Sequence, residues 1–424
     1  MPEESFFNRK IADYLESPLP SLIPRDTVIT LENKLRRAIT IVGPRRSGKT
    51  YVMFSMIGNL ISSIPKERTL YLNFEDIDLN SLNIREVKNL IDHMYTTYEK
   101  HGSTLYLFLD EVQEIDDWEI LVRNLIDESR FSVVITGSSS KLLSSEISTR
   151  LRGRTLTYTL TPLTFAEFLK FRNFRLDEKI STRGIIRIRN FLEEYMEYGG
   201  YPEVVLFKNE RLRLLNEIMN LAIERDIIER YGYRNSHILK MLILNLSLSS
   251  IFSINKFYNY ARNQSYQVGK DTLYSYVSSL EDNNIIFGIH NFRTSALKSQ
   301  KTLAKYYFVD NGLLRISGNM DLFRKMENLV FMSLARSHGR EKIFYYRTKS
   351  EREIDFLVND DPVQLINVTY TMKNFETRER EIKSLIEASR ELGTSKLTIV
   401  TMDEEGEDEN IRITPLWKFL LNLE

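Results

Sequence analysis

The amino-acid sequence predicts an α/β fold in which a parallel sheet carrying a P-loop is followed by a helical segment, a winged helix-turn-helix and a second α/β domain. One observation is the segment 38–57, where an apolar, β-branched run stops at Gly43 and an amphipathic run with helical spacing starts after Thr50. Another is the apolar run 104–109, which is typical of a strand buried on both faces and ends in two carboxylates. The length of 424 residues exceeds one ordinary core and indicates several domains.

The residues 43–50 have the pattern G-x-x-x-x-G-K-T between a predicted strand and a predicted helix, which is the pattern of a phosphate-binding P-loop. Gly43 and Gly48 let the backbone turn so that successive N–H groups face phosphate oxygens, and the helix start adds its positive dipole end. We expect Lys49 to reach the β- and γ-phosphates of ATP and the Thr50 hydroxyl to bind Mg²⁺. The predicted nucleotide-binding residues are Gly43, Pro44, Arg45, Arg46, Ser47, Gly48, Lys49, Thr50 and Tyr51.

The chain before the P-loop is predicted to form a helix over 6–15, a proline-rich turn, and a second helix over 27–36. A segment that precedes the first strand of such a sheet can contact the adenine ring, so Ile23, Pro24 and Arg25 are candidates for that contact. A plain packing arm explains the same residues equally well.

Carboxylates follow two of the predicted strands. Glu75 and Asp76 end the strand 69–74, and they either support the site or belong to a solvated loop. Asp110 and Glu111 end the strand 104–109, about 60 residues after the P-loop, where a Walker B element is expected. We therefore predict that Asp110 holds Mg²⁺ through water and that Glu111 orients or deprotonates the attacking water.

A fourth strand, 131–136, runs into a serine-rich turn and is expected to lie between the P-loop strand and the Walker B strand. A small polar residue at its end can act as a sensor of the γ-phosphate or the water. Ser138 is the first candidate and Thr136 the second, and a turn without a catalytic role is the alternative.

Three arginines alternate ahead of a fifth strand at positions 150, 152 and 154. An arginine at this place can act in trans as a finger on a neighbouring molecule's γ-phosphate. Arg152 and Arg154 are the favoured candidates for this catalytic role. Pairing with local carboxylates is the alternative.

Taken together, these stretches resemble the AAA-type P-loop ATPases of archaea and bacteria, in which the ATPase precedes a C-terminal domain of unknown function with a nuclease-like fold. The matching stretches are Gly43–Thr50, Leu109–Gln113 followed by Trp118, Ile135–Ser139, Leu151–Arg154 and Leu160–Phe168. The resemblance extends over nearly the full length and implies an AAA-like parallel sheet with a helical lid, followed by winged-helix and α/β nuclease-like domains. The expected division is 1–162 for the ATPase core, 163–235 for the lid, 236–292 for the winged helix-turn-helix and 293–424 for the nuclease-like domain.

The winged-helix prediction for 236–292 is based on three helix-spaced runs followed by a strand-like run at 285–292. The exposed face of the third helix carries few groups for reading bases: Lys270, Thr272, Ser275 and Ser278. The following loop, 293–305, has no acidic residue and four basic ones: Arg293, Lys298, Lys301 and Lys305. This loop is a candidate patch for the phosphate backbone of DNA, and a solvated loop or a protein-contact wing is equally ordinary.

The last domain places Glu327 on a helix and Asp355 on a strand, which is the layout of PD-(D/E)xK nucleases. Such enzymes need an acidic residue and a lysine two residues apart on the next strand. Asn367 and Thr369 stand there instead, so we predict a nuclease-like fold without the reaction. A rearranged active site would use Lys349, Glu351 or Glu353.

The composition excludes several classes of protein. The formal net charge is zero, so binding to nucleic acid would need a local patch, and the absence of cysteine excludes disulfides and cysteine-ligated metals. The sequence has no apolar run long enough to span a membrane and no signal-peptide pattern, so a cytoplasmic protein is expected.

These patterns predict an Mg²⁺-dependent ATPase whose hydrolysis changes the conformation of a C-terminal half that binds DNA or a protein. Self-association into a homo-oligomer is a further expectation. One alternative is a DNA-binding or scaffolding regulator that is switched by nucleotide with negligible turnover, and a second is a nuclease.

Overall fold

The computed structural model describes residues 4–31, 36–98, 103–137, 151, 153–176, 180–233, 236–293, 303–318 and 321–422. The chain divides into two compact units, Met1–Thr161 and Pro162–Glu424. Among the residues described, none of the helices has the length and apolar character needed to cross a membrane.

The first unit is built on a five-stranded parallel sheet. Its strands are β1 (Ala38–Val42), β2 (Thr69–Asn73), β3 (Leu105–Asp110), β4 (Phe131–Gly137) and β5 (Thr155–Thr159), in the order β2-β3-β4-β1-β5. The sheet has a hydrophobic core on each face, which explains why β1 and β3 are nearly continuous apolar runs. As predicted from the sequence, β4 lies between the P-loop strand and the strand that ends in Asp110.

The helices of this unit cover the two faces of the sheet. They are α1 (Glu4–Glu16), α2 (Lys49–Ile61), α3 (Ile77–Asn80), α4 (Ile84–Tyr98) and α5 (Trp118–Asp127). The second helix predicted near the N-terminus is wrong, because residues 27–31 have no helical structure. Val28 is 80% exposed, whereas Ile29 and Leu31 pack against the core, and this alternation has the period of an extended segment.

The second unit begins with helices α6 (Phe165–Phe171), α7 (Thr182–Tyr198), α8 (Pro202–Leu206) and α9 (Arg211–Ile223), the last continued by a π-helix over Glu224–Glu229. The connection between α7 and α8 is a sharp turn at Gly199, whose φ is +72°. A Cβ atom at Gly199 would lie 1.8 Å from Asp310 Oδ1. Asp310 Oδ2 accepts a hydrogen bond from the Gly200 N–H at 2.7 Å, and Oδ1 accepts one from the Gly312 N–H at 2.8 Å.

A small antiparallel sheet with three helices follows. Its elements are α10 (Ser236–Leu248), β6 (Ile251–Phe252), α11 (Ile254–Asn263), α12 (Lys270–Asp282), β7 (Ile286–Ile289) and β8 (Ala304–Phe308), and the strand order is β6-β8-β7. The prediction that Lys305 belongs to a basic loop is wrong, because Lys305 lies within β8 and is 1% exposed. Pairing with β7 fixes the register of β8 and turns Lys305 towards the interior.

The rest of the second unit surrounds a six-stranded mixed sheet. Its helices are α13 (Asn311–Ile316), α14 (Leu322–His338), α15 (Phe375–Leu392) and α16 (Leu416–Leu420). Its strands are β9 (Ile343–Arg347), β10 (Glu353–Val358), β11 (Gln364–Val368), β12 (Lys396–Thr401), β13 (Gly406–Asp408) and β14 (Ile411–Pro415), in the order β13-β14-β12-β11-β10-β9. One continuous hydrophobic core runs from Leu163 in the helical part to Trp417 in α16. The helical part, the small sheet and the large sheet are therefore packed as one body.

Asp310 should make stability depend on pH. Burial raises the pKa of the Asp310 carboxyl to about 6, against 3.8 as its ordinary value. Because the folded state binds this proton more tightly than the unfolded state, its contribution to the free energy of unfolding should fall as pH rises from about 4 to about 6. Over this pH range the free energy of unfolding should fall by about 2 to 3 kcal/mol because of Asp310, and we expect Asp310→Asn to abolish this decrease.

Urea unfolding at pH 4 and pH 7 measures the effect as the difference between the natural protein and the variant. The exposed Asp271 provides a matched control as Asp271→Asn, which should leave the pH dependence unchanged. Identical pH dependence in the natural protein and Asp310→Asn would contradict the assignment.

Candidate nucleotide-binding and hydrolysis site

The P-loop connects β1 to α2 and has a backbone that its two glycines make possible. Gly43 has φ +153° and Gly48 has φ +97°, both in the region that favours glycine. A Cβ atom at Gly43 would lie 2.0 Å from the Leu160 carbonyl oxygen, so a side chain would not fit there. The first glycine of the motif is thus needed both for its dihedral angles and for the close approach of a neighbouring backbone.

Lys49 is buried at the centre of this loop, with 4% of its surface exposed. Its ammonium donates to the carbonyl oxygens of Gly43 at 3.2 Å and Pro44 at 3.3 Å. The same Nζ atom lies 3.6 Å from Glu111 Oε1. The cation of the P-loop therefore lies directly beside the carboxylate predicted to act on water.

Asp110 ends β3, is 1% exposed, and accepts hydrogen bonds from three hydroxyl groups. Its Oδ2 atom accepts from Thr50 Oγ1 at 2.7 Å and from the Tyr71 hydroxyl at 2.8 Å, while Oδ1 accepts from the Thr136 hydroxyl. Burial raises the pKa of the Tyr71 phenol, and the negative charge of the Asp110 carboxylate raises it further. The phenol therefore stays protonated and donates the hydrogen bond. Both carboxylate oxygens are held in place by neighbouring elements.

Glu111 follows Asp110 with a left-handed φ of +49°, which is a strained conformation for a residue other than glycine. Its N–H donates to Thr136 Oγ1 at 2.9 Å, and its Oε2 atom accepts from Gln113 Nε2 at 2.6 Å. This turn directs the side chain towards Lys49. Thr136, the second sensor candidate, is thus bonded to both carboxylate residues.

The residues present fit a magnesium nucleotide. Magnesium commonly takes one or two protein oxygens and completes its shell with water and phosphate oxygens, and the adjacent Thr50 and Asp110 offer such a pair. Within the described part of the chain, no group of three His, Cys, Asp or Glu side chains is arranged to hold a metal ion without phosphates. The Ser47 hydroxyl is buried in the loop without a hydrogen-bond partner among the described residues, so a polar ligand atom could still bond to it.

Other predicted residues in and beside the loop contact neighbouring elements or solvent. Arg45 Nη1 pairs with Glu75 Oε1 at 3.1 Å, which links the P-loop to the carboxylate after β2. Asp76 instead pairs with Lys10 of α1 at 3.0 Å. Tyr51, on the first turn of α2, is 57% exposed.

Arg25 connects the segment before β1 to the P-loop. Its Nη1 donates to the Ser47 carbonyl oxygen at 2.8 Å, and its Nη2 donates to the Thr161 carbonyl oxygen at 2.9 Å. The side chain therefore supports the backbone of the loop. A contact between adenine and Ile23, Pro24 or Arg25 stays a prediction.

Three other residues are predicted to act in catalysis. Ser138 and Arg152 lie outside the described residues. Arg154 precedes β5, which runs parallel to β1, so it lies at the end of the strands opposite to the P-loop. Its guanidinium pairs with Asp127. A finger role in trans stays a prediction.

Sequence reasoning missed two supporting residues, Tyr71 and Gln113. Tyr71 lies on β2, two residues before the position that pairs with Asp110. A tyrosine within an otherwise aliphatic strand is the signal that could have identified it. Gln113 follows Glu111 by two residues and was visible only as part of the Walker B run.

The second unit has its own buried charged cluster. Lys305 Nζ lies 2.7 Å from Glu353 Oε1 and 3.3 Å from both Glu327 Oε1 and Asp355 Oδ1. Burial raises the pKa of the Asp355 carboxyl to about 7. The positive charge of Lys305 lowers this pKa but does not fully offset the effect of burial. Asn367 Nδ2 donates to Glu381 Oε2 at 2.6 Å, and Asn367 Oδ1 accepts a hydrogen bond from the Asp355 N–H at 3.2 Å. Helix α14 and strand β10 thus meet as predicted, but around an internal ammonium group.

Three family models match the chain in succession. An AAA domain matches residues 35–169, and two domains of unknown function, DUF8612 and DUF4143, match residues 189–321 and 324–419. Together with the P-loop after β1 and the paired carboxylates after β3, the match shows that residues 35–169 contain an AAA domain with the P-loop ATPase fold. Since the C-terminal models are of unknown function, the nuclease-like fold stays a prediction.

Two relatives are similar to this chain over most of their length. An uncharacterised protein of Methanocaldococcus jannaschii is 35% identical over 98% of this chain and 95% of its own length. An uncharacterised protein of Haemophilus influenzae is 30% identical over 81% of this chain and 87% of its own length. The chain belongs to the family of these two proteins.

Among solved structures, a Walker-type ATPase of Pyrococcus abyssi matches 75% of this chain and 96% of its own, with a TM-score of 0.44 and 12% identity. At this level of similarity two proteins need share neither substrate nor partner.

Tyr71→Phe tests whether the phenol positions Asp110. Loss of one hydrogen bond to the carboxylate should cost about 1 kcal/mol, so we expect the Mg²⁺ concentration for half-maximal binding of ATP to rise about fivefold. Titration of Mg²⁺ with a fluorescent ATP analogue measures it. Tyr106→Phe on β3 is the control, because the Tyr106 hydroxyl makes no hydrogen bond within the described residues. Equal Mg²⁺ requirements in both variants would contradict the role of Tyr71.

Proposed function

We propose that this protein hydrolyses ATP in an Mg²⁺-dependent reaction and that hydrolysis changes the conformation of a C-terminal half that binds DNA or a protein. The observation that carries the proposal is the arrangement at the P-loop, where Lys49 forms an ion pair with Glu111 and Asp110 accepts a hydrogen bond from Thr50. A protein that only binds nucleotide does not need a carboxylate beside the phosphate-binding lysine.

Each side chain has a role that follows from its position. The backbone N–H groups of the loop and Lys49 would bind the phosphates, which places the γ-phosphate next to Glu111. Glu111 would orient the attacking water and accept its proton, with Gln113 holding its other oxygen. Thr50 and Asp110 would hold Mg²⁺, which supplies positive charge to the phosphate oxygens.

The C-terminal half is proposed to act as the binding half because of the small sheet. Its described elements follow the order helix, strand, two helices and two strands, which supports the prediction of a winged helix-turn-helix. Such modules bind DNA or proteins. The predicted basic loop has one exposed cation fewer than expected, since Lys305 is buried in β8. Lys298 and Lys301 lie outside the described residues.

The nuclease alternative has little support. The carboxylates of Glu327, Glu353 and Asp355 already surround the Lys305 ammonium, which is 1% exposed and cannot reach a phosphate without unfolding its strand. Lys349 and Glu351, which a rearranged site would need, do not contact this cluster, and Glu353 Oε2 pairs with Arg347.

Substitution of the two central side chains tests the ATPase proposal. We expect Lys49→Ala to lower turnover by about 10²-fold or more through weaker phosphate binding. We expect Glu111→Gln to lower kcat by about 10²- to 10⁴-fold, because an amide cannot accept the proton, while nucleotide affinity is kept. Phosphate release and binding of a fluorescent ATP analogue measure the two quantities.

Glu114→Gln, three residues further on and exposed, is the matched control and should turn over ATP like the natural protein. Turnover by Glu111→Gln at the natural rate would sink the assignment of the base. A natural protein that binds ATP but releases phosphate no faster than a sample without protein would favour the nucleotide-switched regulator.

Incubation with supercoiled plasmid in Mg²⁺ or Mn²⁺ tests the nuclease alternative. We expect no cutting by the natural protein, because the Lys305 ammonium neutralises the carboxylates that a metal ion would need. Cutting that disappears in Asp355→Ala and persists in Glu376→Gln, an exposed substitution on α15, would show that the domain is active.

A further inference from the structure

Helices α11 and α12 present a polar surface that the ATPase site does not use. Its exposed residues are Asn255, Lys256, Asn259, Tyr260, Arg262, Asn263, Gln264, Ser265, Gln267, Gly269, Lys270, Asp271, Thr272, Tyr274, Ser275 and Ser278. We call this set the α11–α12 surface. It contains three basic residues, one acidic residue and five amide side chains, and Tyr260 and Tyr274 are exposed by 47% and 55%.

Two of its cations are brought together around one aromatic ring. The Arg262 guanidinium carbon lies 5.8 Å from the centroid of the Tyr258 ring, and Lys270 Nζ lies 5.2 Å from the same centroid. Arg262 is in the last turn of α11 and Lys270 is the first residue of α12, so the turn between the helices places the two charges near each other. The N-terminal dipole end of α12 adds positive potential at the same place.

In the part of the chain that the structure describes, the three cations of this surface are not engaged in ion pairs, and Asp271 is its one exposed carboxylate. Neither Arg262, Lys270 nor Lys256 forms an ion pair within the described residues, although ion pairs are common on the other helices of the unit. Lys240 on α10, for example, pairs with Glu224 at 3.0 Å. Two like charges that are held around one ring and are not engaged in ion pairs with other described residues are arranged to receive an anion.

We propose that the α11–α12 surface binds the phosphate backbone of duplex DNA, with Arg262 and Lys270 each contacting a phosphate. This inference rests on the proposed function, since it names the partner of the C-terminal half. The amide side chains favour DNA over an acidic protein, because asparagine and glutamine donate to and accept from both phosphates and base edges. The surface differs from the loop 293–305 that the sequence suggested, and it lies on the two helices of the turn.

The expected signature is a change in salt dependence. Each phosphate contact contributes about 0.9 to the slope of log affinity against log salt concentration. The double variant Arg262→Gln/Lys270→Gln should therefore lower the magnitude of that slope by about 1.8 and weaken binding by about tenfold or more at 50 mM salt.

The test uses the full chain and a fluorescein-labelled 30-base-pair duplex, with anisotropy measured between 25 and 200 mM KCl and without nucleotide. The control Lys240→Gln/Lys383→Gln also removes two positive charges, but from lysines that are already in ion pairs. We expect the control to match the natural protein in slope and affinity. Circular dichroism melts confirm that both variants are folded.

Absence of duplex binding by the natural protein at 25 mM KCl would overturn the proposal, as would equal slopes in the two double variants. Binding of polyglutamate in place of the duplex, lost in Arg262→Gln/Lys270→Gln, would instead assign the surface to an acidic protein partner and also overturn it. Phosphate release is measured separately, so failure of DNA binding with intact ATP turnover refutes this inference alone. DNA binding without ATP turnover refutes the ATPase proposal alone.

Discussion

The carboxylate of Asp110 is the group on which the first unit's site depends. A charged group that is 1% exposed is costly unless it is hydrogen-bonded, and three hydroxyls from α2, β2 and β4 supply those bonds. One side chain therefore ties two neighbouring elements of the sheet and the P-loop helix to the end of β3. The same bonds fix the geometry that nucleotide and Mg²⁺ would meet, so stability and the proposed chemistry rest on one set of contacts.

The second unit solves a similar problem in the opposite way. Its buried carboxylates surround the Lys305 ammonium, which comes from β8 of the small sheet, while Tyr307 on the same strand donates to Glu327 Oε1 at 2.8 Å. The charges of this cluster are satisfied within the protein and join the small sheet to α14 and β10. The site of the first unit keeps Lys49, Glu111 and the Ser47 hydroxyl facing the loop where phosphates would bind. Only the first arrangement is suited to exchange partners during a reaction.

Local patterns in the sequence were enough to predict the P-loop, the strand that ends in Asp110, and the position of β4 between them. They failed where the outcome depends on contacts between distant residues. Lys305 has the sequence context of a loop, and only the pairing of β7 with β8 buries it. The segment 27–31 contains helix-compatible residues, yet alternate side chains pack on the sheet and keep it extended. Tyr71 acts across strands, so neither motif nor period could reveal its bond to Asp110.

The left-handed backbone at Glu111 has a consequence for how sequences of this kind diverge. Such a conformation costs a residue with a side chain about 1 to 3 kcal/mol, and glycine or asparagine would adopt it more easily. Selection for stability alone would thus drive a glutamate out of this position. A lineage that abandons ATP turnover should lose Glu111 early while retaining Lys49 and Asp110. The residue at this position would therefore distinguish family members that hydrolyse ATP from those that only bind nucleotide.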